Sequence, residues 1–386
     1  MDLVFFSIVF ILLVFGLIMM FSAGYAWAIK EENGDGTAYI SKQLIFSALG
    51  LAAMYFLSYF DYHNFRKPII AYGLYVFQLV LLLLVKFSPL GKDHNGAKRW
   101  LVIPGTSFEF QPSEITKFAI IIIFAYLISM NYSKLDKFSY GVAPFLILLG
   151  IPAVLVLTQT HLSATIIICG IGLVLMFVGG VKIRHLLLLA GIAAGAVCII
   201  VAYKINVDGI GYFTDRINVW QNPFAGTSPK EWQTQNSLIA IGSGGLFGMG
   251  LGNSRQKFLY LPESKNDFVF AVVCEELGFC GAVLVILIFL MFVFRGFYIA
   301  TKAPDKFGMI LVVGLTFQIG LQAMFNFAVV TNAIPNTGIS LPFFSYGGTA
   351  LCMQLAQMGV ILNVSRQCIF SSPPKQNNAP KPSEST

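Results

Sequence analysis

Three acids crowd one stretch of the chain: Asp267, then Glu275 and Glu276 inside a long apolar run. Carboxylates in such a setting are costly unless they face a cavity, a partner or a proton-transfer task. On one continuous helix at about 100° per residue, Glu275 lies about 80° around from Asp267 and about 12 Å deeper, with Glu276 on the opposite face. Asp267 and Glu275 are therefore expected to line one cavity, while Glu276 looks elsewhere. The simpler role for Asp267 is to cap the helix start. Glu114 and Lys117, three residues apart, can pair on one helix face. Pro112 and Ser113 before them suit a helix N-terminus. Lys98 and Arg99 precede Trp100. Two readings stand for them, an interfacial aromatic anchor or a cationic site for a lipid phosphate. Arg255 and Lys257, with Arg216 and Lys265, add positive charge further along.

Other chemistry finds little support. His63, His94, His161 and His185 lack metal-ligand spacing and read as incidental. The six cysteines form no CxxC pair and five lie in apolar runs, where they act as small hydrophobes. The glycine-dense stretch 242–252 matches neither the P-loop nor GxGxxG. It reads as backbone that approaches something closely, as in a re-entrant turn.

The elements that position these residues must be membrane helices. Charged residues make up 11% of 386 and apolar residues 56%, and mean hydropathy is +0.75. A soluble fold of this size needs more charge, about 25%, so disorder, fibrous folds and ordinary cytosolic enzymes are excluded. About ten runs are long enough to span, near Val4–Phe21, Gln43–Phe60, Ile69–Val85, Glu114–Met130, Tyr140–Leu157, Leu162–Val178, Leu186–Ala202, Phe268–Phe294, Phe307–Phe327 and Thr349–Val364. Pro144 and Pro152 predict a kink in the fifth. The first lacks a basic n-region and is too long for a cleaved signal, so it is expected to be retained. Gln318, Gln322 and Asn326 recur every four residues in the ninth, a stripe suited to helix–helix hydrogen bonds.

The net charge is 25 − 18 = +7. The excess sits in alternate short links, among them Arg66 and Lys67, Lys134 and Lys137, Lys182 and Arg184, and Arg295, Lys302 and Lys306. By the positive-inside rule these links and both termini are cytoplasmic, and nothing points to nucleic acid. The fold class is an all-α polytopic membrane protein with a large extracytoplasmic loop, about 203–267, between spans seven and eight. Residues 1–366 form one transmembrane domain, and 367–386 read as a disordered cytoplasmic tail.

Several strings together resemble one family: GAKRWL at 96–101, QPSE at 111–114, NSLIAIGSGGLFG at 236–248, SRQKFLYLPE at 254–263, NDFVF at 266–270, EELG at 275–278 and LPFFSYGGT at 341–349. They are similar to the SEDS family (shape, elongation, division and sporulation) of FtsW, RodA and SpoVE. The likeness runs to about Arg366, and GAKRW and SRQKFLYLPE are closest to the FtsW and SpoVE branch. It implies a peptidoglycan glycosyltransferase. Such an enzyme polymerises lipid II, the undecaprenyl-pyrophosphate-linked disaccharide precursor, on the outer face of the bacterial cytoplasmic membrane, in division or sporulation wall synthesis. The implied partners are a class B penicillin-binding protein transpeptidase and other divisome proteins, with a septal location. Asp267 matches the family's essential aspartate, Glu275 its later glutamate and Trp100 its loop tryptophan. TQTHLS at 158–163 departs from the Gln-Pro-Asp string of many members, so that acid's role does not transfer.

The chemistry fits. A sugar hydroxyl attacking an anomeric carbon needs a base, for which Asp267 is the candidate. A departing pyrophosphate needs cations. Lys98, Arg99, Arg255 and Lys257, or a divalent cation such as Mg²⁺ or Mn²⁺ held partly by Asp267, would supply them. No other cofactor is implied. A flippase for the same lipid, or a non-catalytic transpeptidase scaffold, are the alternatives. A flippase should place its polar groups at the midplane, in paired halves, whereas here they crowd the outer mouth and the halves show no repeat.

Overall fold

The computed structural model describes residues 1–94, 97–102, 109–159, 161–187, 189, 191, 212–225 and 229–368. Helices stand where every expected span was placed except the seventh, which lies largely outside the described residues with the start of the long loop and the tail. They are α1 (Leu3–Glu31), α2 (Ala38–Tyr59), α3 (Pro68–Phe87), α4 (Pro112–Asn131), α5 (Phe138–Gly141), α6 (Ala143–Thr158), α7 (Leu162–Val178), α8 (Tyr212–Gln221), α9 (Pro229–Gly244), α10 (Val269–Thr301), α11 (Lys306–Val330) and α12 (Gly348–Gln367). Among the described residues seven helical segments are long and apolar enough to cross a membrane. This is a multi-pass membrane fold.

Sequence chemistry sets the helix ends. Asp2 caps α1 by accepting from Phe5 N at 2.9 Å, and Asp305 caps α11 by accepting from Gly308 N at 2.8 Å. The fifth span breaks where expected. Pro144 sits in the first turn of α6, and α5 ends just before it at Gly141. Among the seven, α4 and α11 are the most enclosed, with their most apolar stretches 67% and 72% buried against 39% or less for the other five. Their buried Ile, Val, Leu and Phe side chains join one continuous core, and polar groups placed on these two helices are shielded from lipid.

Two features depart from a purely helical bundle. Residues 91–110 hold a three-stranded antiparallel sheet: β1 (Gly91–His94), β2 (Ala97–Val102) and β3 (Glu109–Phe110). Lys92 pairs with Trp100 and Leu101 with Phe110. This short sheet is an addition to the expected all-helical bundle. The segment between α3 and α4 is too short and too polar to span, and its strands satisfy one another's backbone groups.

The second is a break in α10. Gly278 adopts φ 67°, and a Cβ there would lie 2.3 Å from Gly248 N. The chain after α9 fills the break. Met249 N donates to Glu275 O and Gly250 N to Glu276 O, both at 3.0 Å, while Phe279 N donates to Gly245 O at 2.8 Å and Cys280 N to Leu246 O at 3.1 Å. The glycine-dense stretch is thus backbone packed on backbone, and the groups freed by the break are re-satisfied within the protein, as apolar surroundings demand.

Candidate active site

Asp267 lies in the turn that leads into α10. That helix is capped at Phe268 without a side-chain bond, so Asp267 is not a capping residue. Its backbone is tied down on every side. Lys265 Nζ donates to Glu31 Oε2 at 2.7 Å and Tyr39 OH at 2.7 Å, and sits 4.0 Å from the Tyr39 ring centroid. Three successive carbonyls are then held by distant residues. Tyr346 N donates to Lys265 O at 2.8 Å, Ser345 Oγ to Asn266 O at 2.6 Å, and Asn326 Nδ2 to Asp267 O at 2.7 Å. The turn closes through Glu263, whose φ of 55° is unusual for a non-glycine residue.

The Asp267 carboxyl is half-buried, not standing in open water at a mouth. Burial pushes its pKa from the ordinary 3.8 up to about 7; the Glu263 charge adds to this and Arg99 opposes it. The carboxyl therefore exchanges its proton near neutral pH.

Around it the bundle places cations and amides. Lys117 Nζ on α4 is 2.8 Å from Glu114 Oε1 and 2.9 Å from Gln322 Oε1, and both members of the ion pair are buried. Gln322 Nε2 in turn donates to Ser340 O at 3.1 Å. On β2, Arg99 is half-buried while Lys98 is exposed. Trp100 is half-buried. Arg99 is near enough to Asp267 and His161 to act on both electrostatically, whereas Lys98 faces solvent.

His161, which the sequence marked as incidental, belongs to this cluster. It is buried in the turn before α7, accepts from Ala164 N through Nδ1 at 3.4 Å, and meets the Gln111 side chain through Nε2. Burial, Arg99 and Lys117 together depress its pKa to about 3, so it is a neutral ring. Ser163 Oγ donates to Thr337 O, which brings the loop before α12 alongside. Gly338 follows with φ 68°, and a Cβ there would be 3.2 Å from Asp267 Oδ2. Spacing along the chain gave no signal for these contacts, which join segments far apart in sequence. The one hint was that His161 falls in the string that departs from the Gln-Pro-Asp pattern.

Three expected site residues fall elsewhere. Glu275 is 1% exposed, and its carboxylate is consumed by the loop before α10. It accepts from Ser254 Oγ and from Arg255 N at 2.9 Å. Glu275 does not share an open cavity with Asp267. The helical angle between them does not apply, because α10 begins only at Val269. Lys257 is 3% exposed and is no free phosphate ligand. Its Nζ donates to Glu276 Oε1 at 2.9 Å, Ser22 Oγ at 2.9 Å and Gly252 O at 2.6 Å. Arg255 is exposed, with its backbone bound to Glu275 well inside the protein. Both glutamates therefore pin one loop.

The chain was compared with known proteins. The family model described as cell cycle protein, covering FtsW, RodA and SpoVE, matches residues 2–369. Stage V sporulation protein E of Bacillus subtilis (strain 168) is 38% identical over 366 residues, covering 95% of this chain and 97% of that protein. A probable peptidoglycan glycosyltransferase FtsW of Geobacter sp. (strain M18) is 36% identical, covering 94% and 96%. Among solved structures, a chain from work on polymerization and crosslinking by a peptidoglycan synthase complex superposes with TM-score 0.73 at 26% identity, covering 92% and 97%. The rod shape determining protein RodA of Thermus thermophilus gives 0.69 at 25%, covering 96% and 98%. Matching strings, fold and length agree along nearly the whole chain, which belongs to the FtsW/RodA/SpoVE family of cell cycle proteins.

Proposed function

We propose that the protein is a peptidoglycan glycosyltransferase that polymerises lipid II into glycan strands at the outer face of the bacterial cytoplasmic membrane, in wall synthesis for division or sporulation. The observation that carries this reading is the half-buried Asp267, with a pKa pushed up to about 7 and Arg99 acting on it. A carboxylate that titrates near working pH is suited to general-base catalysis. In the reaction, the acceptor sugar's hydroxyl oxygen attacks the anomeric carbon of the lipid-linked donor. The bond from that carbon to the pyrophosphate oxygen breaks, the electron pair leaves with the pyrophosphate, and Asp267 takes the hydroxyl proton. Arg99 stabilises the charge that develops on the leaving group. Lys117 stays paired with Glu114 and lends its charge to the surroundings of His161.

A divalent cation is a further component of the proposal. Asp267 and Glu263 present carboxylate oxygens within electrostatic reach of each other. Mg²⁺ is commonly held by one or two carboxylates while it keeps several waters and meets phosphate oxygens; the described residues hold no group of three or more acidic, His or Cys ligands, so Asp267 would hold the ion only in part. Such an ion would supply charge for the departing pyrophosphate.

The relative whose structure was solved in a peptidoglycan synthase complex supports a class B penicillin-binding transpeptidase as partner. A non-catalytic scaffold needs no titrating acid beside a cation, and a flippase would be expected to place such groups at the midplane in paired halves. The deciding experiment is polymerisation of lipid II by the purified protein, with and without that partner, for wild type and Asp267→Asn. Glycan strands from wild type and none from the variant are expected. Equal rates would overturn the reading.

A further inference from the structure

The polar stripe on α11 does three different jobs. Gln318 Nε2 donates to Gln357 Oε1 on α12 at 3.2 Å, the helix–helix contact that its periodicity suggests. Gln322 meets Lys117 on α4. Asn326, one turn further on, reaches no helix side chain. Its Nδ2 donates to Asp267 O at 2.7 Å and to Ile339 O at 2.6 Å. The residue is fully buried, and its Oδ1 has no hydrogen-bond partner. Both amide hydrogens are therefore spent on two carbonyls, and turning the amide over would set oxygen against oxygen.

Neither carbonyl belongs to a helix ladder. The backbone bonding of α10 starts with Ala271 N donating to Phe268 O at 3.0 Å, which leaves Asp267 O outside it. Ile339 follows Gly338, whose missing Cβ makes room for Asp267 Oδ2 at 3.2 Å. One carbonyl thus belongs to the reactive acid's own backbone, and the other to the wall its carboxylate rests against.

We infer that Asn326 is a positioning residue for Asp267: a two-pronged donor that fixes the acid's backbone relative to the Gly338–Ile339 wall. The inference rests on the reading of Asp267 as the base. Small displacements of a reacting group cost large factors in rate, on the order of 10²-fold for about 1 Å, so a side chain that touches no substrate governs turnover here.

The test uses purified full-length Asn326→Leu, of similar volume without donors, and Asn326→Ser, which keeps one donor. Rates on lipid II are read alongside membrane level and melting temperature. Asn326→Leu is expected to lower kcat about 10- to 100-fold with KM within about twofold, and Asn326→Ser to fall between. If Asn326→Leu does not fold, Asn326→Ser and Gly338→Ala carry the test, the latter pressing a methyl towards Asp267 Oδ2. Wild-type kcat in folded Asn326 variants, with Asp267→Asn inactive, overturns this inference and leaves the base intact. Wild-type turnover by Asp267→Asn overturns both.

Discussion

Asp267 is held where its charge is disfavoured and its proton is kept more tightly than by an ordinary carboxyl. Burial raises its pKa from 3.8 to about 7, so the basic form accumulates only near neutral pH. Polymerisation is expected to rise with pH through an inflection near 7, read from initial rates on lipid II. Added Mg²⁺ favours the carboxylate and should move that inflection to lower pH. An unmoved inflection would argue against a cation at this acid. Linkage gives a second readout. The folded state prefers the protonated acid, so this group's contribution to stability is fully present below about pH 3.8 and is lost as pH rises through about 7. Asp267→Asn, neutral throughout, should therefore raise the melting temperature more at pH 8 than at pH 5 while abolishing synthesis. Lys257 and Glu276 make the opposite kind of pair, buried for structure. Lys257→Met leaves the Glu276 charge alone in the interior and should cost about 3–5 kcal/mol. Lys257→Met with Glu276→Gln should recover much of that loss in thermal melts.

Elements were legible from sequence where periodicity and breakers decide them, and illegible where distant backbone decides them. The apolar runs gave the spans, and Pro144 gave the break between α5 and α6. The glycine-dense stretch gave a close approach without its target. That target, the carbonyls of Glu275 and Glu276 exposed by the Gly278 break, is a tertiary fact. Because the late start of α10 was not visible, angular bookkeeping along one helix set Glu275 in a shared cavity with Asp267, whereas its carboxylate is bound by the loop at Ser254 and Arg255. Arg99 was found by charge and neighbours, His161 and Asn326 only by the fold. The joint between α9 and α10 carries its own prediction. A Cβ on Gly248 would lie 2.1 Å from Glu276 O, and one on Gly278 would lie 2.3 Å from Gly248 N. Both glycines also have positive φ, where a side chain is strained. Gly248→Ala and Gly278→Ala should reduce the level of folded protein in membranes severely. Gly73→Ala, where open space surrounds the added methyl, should leave it unchanged.

At the scale of the molecule, the two ends of the bundle differ in chemistry. At one end the start of α1 is stitched to α10 and α12. Asp2 N donates to Ser365 Oγ at 3.0 Å, and Arg295 Nη2 donates to Asp2 Oδ2 at 2.7 Å. Nearby in the chain, Arg66 Nη1 stands 3.7 Å from Asp305 Oδ2, so short basic links gather there. At the other end stand the sheet, the Lys265–Glu31–Tyr39 cluster and Asp267. Short loops rich in Lys and Arg are retained on the cytoplasmic side. The stitched end is therefore expected inside, and the site outside, where a lipid-linked sugar would be consumed. Lys302, exposed in the link after α10, and Lys92, exposed on β1, report the two ends directly. With native cysteines replaced, Lys92→Cys should react with a membrane-impermeant maleimide in intact cells, and Lys302→Cys only after permeabilisation. The reverse pattern would put Asp267 on the cytoplasmic side and remove the outer-face polymerase reading with it. Labelling of both in intact cells would break the link between charge asymmetry and orientation on which the placement rests.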